Sequence, residues 1–313
     1  MPTKTKKTKK NIIWLIVAAS LSYILLLAPY NTLVRIMEPS VDPYYLVAVK
    51  IAIVGIVCLP ITLRSLKKLF NKRMYKYTLG SAFFSAIAII TAPLAVYASQ
   101  ASYVSVIALS FPVMFVLLST WLLKEKLTHR TVAGIALALA GASIIVLVPF
   151  AINHSGGEFY LLGTILAIAN GVSAALATIL VKKTHAMKIP VMATLGVNSW
   201  FALAVSVGLF VLLGDPSKTP TDVGFVIFIL YASIGVTLLG KVVSLKMFEL
   251  TNSAFVSVIM YVQTFAAIVT PVLILGESLS LPMVIGGVCI LIAVYIIESH
   301  KTHHFRKHTW HHH

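Results

Sequence analysis

The sequence predicts an all-α integral membrane protein of ten transmembrane helices, arranged as two inverted five-helix repeats. Three observations predict it. Apolar runs long enough to cross a bilayer recur along the whole chain, lysine and arginine gather between alternate runs, and the second half repeats the first at a fixed offset. Hydrophobic residues make up 59% of the 313 and charged residues 11%, against roughly 25% charged in a soluble domain. Lipid is therefore the expected solvent, and a run of about 20 apolar residues is enough for a hydrocarbon core ~30 Å thick.

The first span is placed at 12–34. It follows MPTKTKKTKK, which is lysine-rich like a signal-peptide n-region, but Ile12 onward stays apolar past Leu27 with no small-residue cleavage site, as in a retained span. Turn and charge punctuation places the next spans at 44–63, 77–97, 102–123 and 131–151. The remaining spans are at 159–181, 190–213, 223–247, 253–275 and 281–298. The chain then divides into a basic tail 1–11, a first repeat 12–151, an outer linker 152–158, a second repeat 159–298 and a histidine-rich tail 299–313. Cys58 and Cys289 both fall inside apolar runs, as packing residues do, rather than in a disulfide or metal-binding spacing.

Orientation follows from the basic residues. With the N-terminus inside, one side receives Lys4, Lys6, Lys7, Lys9 and Lys10, then Arg64, Lys67, Lys68, Lys72, Arg73 and Lys76. The same side takes Lys124, Lys126, Arg130, Lys182, Lys183, Lys188 and Lys246, and in the tail Lys301, Arg306 and Lys307. Only Arg35 and Lys218 fall opposite. The positive-inside rule makes this a multi-pass protein of the cell membrane with both termini cytoplasmic. A net charge of +16 would suit a nucleic-acid partner on a soluble surface, but here it sits between spans, so none is expected.

The repeat is read by sliding the chain against itself. ASYVSVIALSFPVMFVLLSTWLLKEKLT from Ala101 aligns with SAFVSVIMYVQTFAAIVTPVLILGESLS from Ser253, with 104–107 identical to 256–259. Leu123, Glu125, Leu127, Val132 and Gly134 meet Leu275, Glu277, Leu279, Val284 and Gly286, and Thr128 meets Ser280. Shared apolar composition does not place Glu and Gly in register. Five spans is an odd number, so the second copy enters from the opposite side, the inverted arrangement that many secondary transporters rock about a midplane site.

Pro112 ahead of FVLLSTWLLKEKLT, then Gly134 and Gly141, resembles the EamA-type unit of the drug/metabolite transporter (DMT) superfamily, with LLKEKLT at 122–128 and ILGESLS at 274–280 filling the same slot in each half. The resemblance covers about 12–298. It implies ten helices around a central cavity lined mainly by the first four of each unit, with the fifth outside. The chain departs from the pattern at Gln263, followed by Thr264 rather than Pro, with Pro271 further on. A threonine hydroxyl can bond the backbone without breaking it, so a milder or displaced kink is expected there. The early Trp-Gly of the family is replaced by LLLAPYNT, and Lys50 stands where many members carry Arg.

An ionisable side chain at mid-membrane depth costs about 2.5 kcal/mol or more and invites a functional reading. Lys50 and Lys241 fall inside spans. Snorkelling of the four-carbon stem is one account of each; for Lys50 the other is neutralisation of an anionic substrate group or a tie between helices. The acids Glu38, Asp42, Glu158, Asp215, Asp222, Glu249 and Glu298 map to loops or helix ends, as do Glu125 and Glu277, which read as helix-terminal acceptors. With no carboxylate near mid-membrane, exchange of organic cations for protons is disfavoured. Tyr23, Asn31, Tyr97, Gln100, Asn170, Asn198, Trp200, Tyr261 and Gln263 are the uncharged candidates, as interhelical bonds or cavity lining, with Asn170 and Gln263 preferred for the cavity. The nucleotide-sugar and triose-phosphate branches of the superfamily keep basic residues on the ninth helix, and this chain has no charge between 252 and 275, so the resemblance disfavours a phosphate-bearing substrate.

His300, His303, His304, His308 and His311–His313 read as a solvated tail rather than a metal site. Asn153-His154-Ser155 is a glycosylation sequon on an outer loop. No nucleophile–base set, cofactor motif or acidic pair supports an enzyme. The expected function is secondary transport of a small polar or zwitterionic metabolite, an amino acid or related carboxylate, by alternating access; the resemblance alone implies the export direction. Nucleoside transport and a non-transporting scaffold or sensor are the alternatives; proton or ion coupling and a homodimer stay open.

Overall fold

The computed structural model describes residues 3–123, 129–152, 157–250 and 253–308. Every regular element among them is helical. In chain order these are α1 (Thr3–Leu27), α2 (Tyr30–Met37), α3 (Pro43–Leu69), α4 (Tyr75–Tyr97), α5 (Ala101–Ala108), α6 (Phe111–Leu123), α7 (His129–Ile152), α8 (Gly157–Ala186) and α9 (Val191–Leu213). Then come α10 (Val223–Leu230), a π-helical stretch Tyr231–Leu239, α11 (Gly240–Leu250), α12 (Ser253–Leu275) and α13 (Leu281–His308).

Among the described residues, six helical stretches are long and apolar enough to cross a membrane: Trp14–Met37, Pro43–Leu69, Tyr75–Tyr97, Leu161–His185, Val191–Leu213 and Val223–Ser244. Shorter apolar stretches cover Ala101–Phe115, Val132–Ile145, Val262–Leu275 and Leu281–Ile296. The two basic tails differ from expectation in being continuous with their helices, α1 beginning at Thr3 and α13 running to His308. Lysine is a good helix former, so winding continues once the apolar run has nucleated it.

Where the helices break, the sequence supplies the cause. Pro29 has no N–H to offer the preceding turn, and α1 stops at Leu27 before α2 starts at Tyr30. Pro112 does the same between α5 and α6, where Leu109 and Ser110 bond back only three residues, to Val106 and Ile107. The aligned position in the second half is Thr264, and there α12 runs unbroken from Ser253 to Leu275. The Thr264 hydroxyl donates to the Met260 carbonyl at 2.9 Å, so the expected bond to the backbone forms within a continuous helix.

The two halves meet along long seams: α3 on α9, α4 on α8, α7 on α13, and α1 on α11 and α12. Small residues set the closest of them. A Cβ on Gly141 would lie 2.7 Å from the Gly286 carbonyl oxygen, and one on Gly286 would lie 2.5 Å from that of Gly141.

The turns gather at two ends of opposite charge. At one, Leu69 and Met74 pack with Ile189 and Ala193, beside Lys67, Lys68, Lys72, Arg73, Lys76, Lys182, Lys183 and Lys188. At the other, Asp42 and Asp215 are bonded, as are Ala101 and Glu277. That end carries Glu38, Asp42, Asp215, Asp222 and Glu277 against Arg35 and Lys218. There the Ser217 hydroxyl and amide, donating at 2.6 Å and 3.0 Å, hold the Asp215 carboxyl below the usual carboxylate range.

Candidate functional site

The break at Pro29 frees the chain to present Tyr30 toward α3. Asp42 starts α3 by accepting from the Tyr44 and Tyr45 amides, at 2.9 Å and 3.0 Å, and Lys50 follows two turns in. Lys50 is only 8% exposed, too buried for its stem to be snorkelling. Its Nζ donates to the Tyr30 hydroxyl at 2.8 Å and lies 4.9 Å from the ring centre. The ammonium thus sits at the phenolic oxygen rather than above the ring face. Among the described residues it forms no ion pair with a carboxylate.

One residue on, Asn31 Nδ2 donates to Ser105 Oγ at 2.9 Å, tying α2 to α5 just ahead of the second break. The π-helical stretch closes on the same place from the other half: Tyr231 Oη donates to the Leu26 carbonyl at 2.6 Å. Gly235 and Gly240 make this approach feasible, since a Cβ at each would lie 3.4 Å from Leu26 Cδ2 and 2.9 Å from Leu27 Cδ1. Thr237 Oγ1 donates five residues back, to Ala232, at 2.9 Å, in keeping with the wider winding. Discontinuous helices and π turns are where membrane transporters place polar backbone and ligand groups. A buried cation, a phenol and an amide in one place can together hold a carboxylate or another small anion.

The other predicted residues scatter. Asn170 Nδ2 donates to the Ala88 carbonyl at 2.6 Å across the α4–α8 seam. Asn198 bridges α9 to α4, accepting from Ser81 Oγ at 3.1 Å and donating to Ser85 Oγ at 2.9 Å. Tyr97 Oη donates to the Val41 carbonyl at 2.8 Å, and Tyr23 is buried in a small cluster with Met247. Lys241 stands at the start of α11 with its side chain on the molecular surface. Gln263 is half-buried on α12, and Gln100 precedes α5 in extended backbone without capping it. Trp200 lies over Gly55, where a Cβ would be 3.2 Å from its ring. The side chain of Tyr261 lies outside the described residues, as do Glu125, the sequon and the last five tail residues. Glu277 is a helix-terminal acceptor, bonded to the Ala101 and Ser102 amides at 3.0 Å and 2.8 Å.

Sequence reasoning missed Tyr30, Ser105 and Tyr231. Tyr30 carried a signal, standing directly after a proline inside an apolar run. Nothing in the sequence marks the π turns that position Tyr231.

This is the construction of a multi-pass membrane protein whose polar site lies at helix breaks. The family comparison is specific: the EamA-like transporter family model matches residues 10–147 and again 161–299, and the chain belongs to that family. It is an EamA-family transporter, not an enzyme, and works on a small-molecule substrate across a lipid bilayer. An "Uncharacterized transporter" from Clostridium kluyveri (strain ATCC 8527 / DSM 555 / NBRC 12016 / NCIMB 10680 / K1) is 25% identical over 267 residues, 83% of this chain and 85% of the relative. A solved structure described as "Crystal structure of protein" shares the fold, with a TM-score of 0.60 and 17% identity over 90% of this chain and 96% of that one.

Proposed function

We propose that the chain crosses the cell membrane ten times with both termini cytoplasmic, and exports a small polar or zwitterionic metabolite, an amino acid or related carboxylate, by alternating access. The observation that carries the substrate class is Lys50, a buried ammonium answered by a phenol and, among the described residues, by no carboxylate. Such a cation favours a ligand that brings the missing negative charge. Lys50 and Asn31 touch the substrate in this reading, with Tyr30 beside them. Asn170, Asn198, Tyr97 and Tyr23 hold the surrounding helices, while Gln263 lines the path.

Two repeats, at 12–151 and 159–298, related by inversion, are supported by the packing. Exchanging the halves turns the α4–α8 contact into α1–α11 and the α6–α8 contact into α1–α12, while α3–α9 and α7–α13 map onto themselves. All four pairings are present. Two units that meet along such seams can rock about the site between them.

The test is counterflow in proteoliposomes with a panel of amino acids, organic acids and nucleosides, repeated under proton and sodium gradients. Uptake of carboxylates that Lys50→Gln abolishes supports the reading; selective uptake of nucleosides or cations overturns it.

A further inference from the structure

Two carboxylates at the acidic end bind the halves of the molecule together, one from each half. Asp42 is 4% exposed, and its Oδ2 accepts the Asp215 amide at 2.9 Å while its own amide donates to the Lys218 carbonyl at 2.8 Å. Its Oδ1 is already used on the first turn of α3. Glu277 reaches the other way, from the turn after α12 to the first turn of α5, where Oε1 and Oε2 each take one amide. Gly276, at φ +67°, makes the turn that aims it, a conformation glycine adopts without strain. Directly beneath, Ser102 is fully buried. Arg35, donating to the Val96 and Tyr97 carbonyls at 3.2 Å and 3.4 Å, and Tyr97 to Val41 brace the first half's own loops behind these two links.

We propose that Asp42 and Glu277 are paired latches that hold this face of the transporter shut, and that both release when the path between the halves opens there. The proposal rests on the alternating-access reading. The bonds are charge-assisted, Glu277 satisfying the first amides of α5 and Asp42 the Asp215 amide in the loop after α9, so they hold the closed face firmly. Their groups lie at the molecule's end, where water replaces each partner on opening, so release is reversible. The Gly141–Gly286 seam, being apolar and close-packed, has no such exchange available and stays shut throughout.

The test uses the full chain with Cys58→Ala and Cys289→Ala, and a single reporter, Ser102→Cys, in oriented membrane vesicles. Reaction with a membrane-impermeant maleimide is timed from each face. Asp42→Asn keeps an acceptor for the α3 amides but loses the one for Asp215; Glu277→Gln keeps one acceptor of two. Each is expected to speed labelling about tenfold from the acidic face, the effect of losing one hydrogen bond to a charged group. A second reporter, Thr62→Cys, sits at the basic end, where the Thr62 hydroxyl bonds to the Cys58 and Ala193 carbonyls. Its labelling is expected to be unchanged or slower. Unaltered labelling at position 102 in both variants, with normal expression and melting temperature, overturns the latch; so does faster labelling at both positions, which marks general loosening. Labelling needs no solute, so a chain that shows the predicted change yet moves nothing in counterflow sustains the latch while overturning the transport reading.

Discussion

Lys50 on α3 donates to the hydroxyl of Tyr30, the residue that opens α2, across 2.8 Å. The bond joins the two arms of the first loop at depth and leaves the ammonium's remaining donors without a carboxylate. Tyr30→Phe removes the acceptor, and a buried group left unpaired costs about 1–3 kcal/mol, more when charged. The variant is expected to melt lower, and an added carboxylate substrate is expected to restore part of the loss, as thermal-shift measurements with and without ligand will show.

Charge and geometry at this position separate. Lys50→Gln is expected to cost carboxylate uptake about tenfold or more, the value of one charge-assisted bond. Lys50→Arg, keeping charge but changing its shape, falls between. Lys241→Ala, by contrast, removes an exposed side chain and is expected to change stability by no more than about 0.5 kcal/mol, with initial rates unchanged.

The α7–α13 seam has no room at its crossing. Gly141→Val places side-chain atoms against the Gly286 carbonyl, and overpacking of this kind costs about 1–3 kcal/mol. Detergent-solubilised protein is expected to show a lower melting temperature and a loss of monodisperse material on gel filtration. Gly208→Val is the control, because a Cβ there meets nothing within 4 Å.

The contrast between Pro112 and Thr264 yields a swap. Pro112→Thr gives the α5–α6 junction the residue found in unbroken α12 and restores the backbone N–H that proline lacks in the first turn of α6, so that the two helices can join. It is expected to raise the melting temperature while lowering transport, since Asn31 and Ser105 are positioned by the break. A variant that is both more stable and fully active would show that the break serves no functional end.

Bridging amides contribute less than intuition suggests. Asn198→Ala leaves Ser81 and Ser85 with other partners to seek, and interhelical bonds in membranes average about 0.6 kcal/mol with a maximum near 1.7. A melting shift of a few degrees, with substrate affinity unchanged, is expected.

These particulars show what the sequence makes legible. Span positions and the internal repeat follow from hydropathy and from matched Glu and Gly, because the membrane imposes one length and one solvent on every helix. Glu277 was readable as a helix-terminal acceptor, but not as the cap of a helix in the other half, since pairing at a distance leaves no local mark. Lys50 was singled out by its charge; its partner Tyr30 was not, because phenols are common in apolar runs and only the turn at Pro29 brings this one round. The π winding behind Tyr231 has no motif at all.

The unequal ends of the molecule have an electrical consequence. Lysines at one end and carboxylates at the other make the protein a fixed dipole along the path its solute takes. An anion approaching the lysine-bearing mouth is drawn in, and one leaving by the carboxylate-bearing mouth is urged away, over distances of about 8 Å at physiological ionic strength. Salt collapses that reach. Entry from the basic side will therefore slow as ionic strength rises, while entry from the acidic side quickens, so that the medium sets the rates at each mouth and the gradients alone set the direction of net flow.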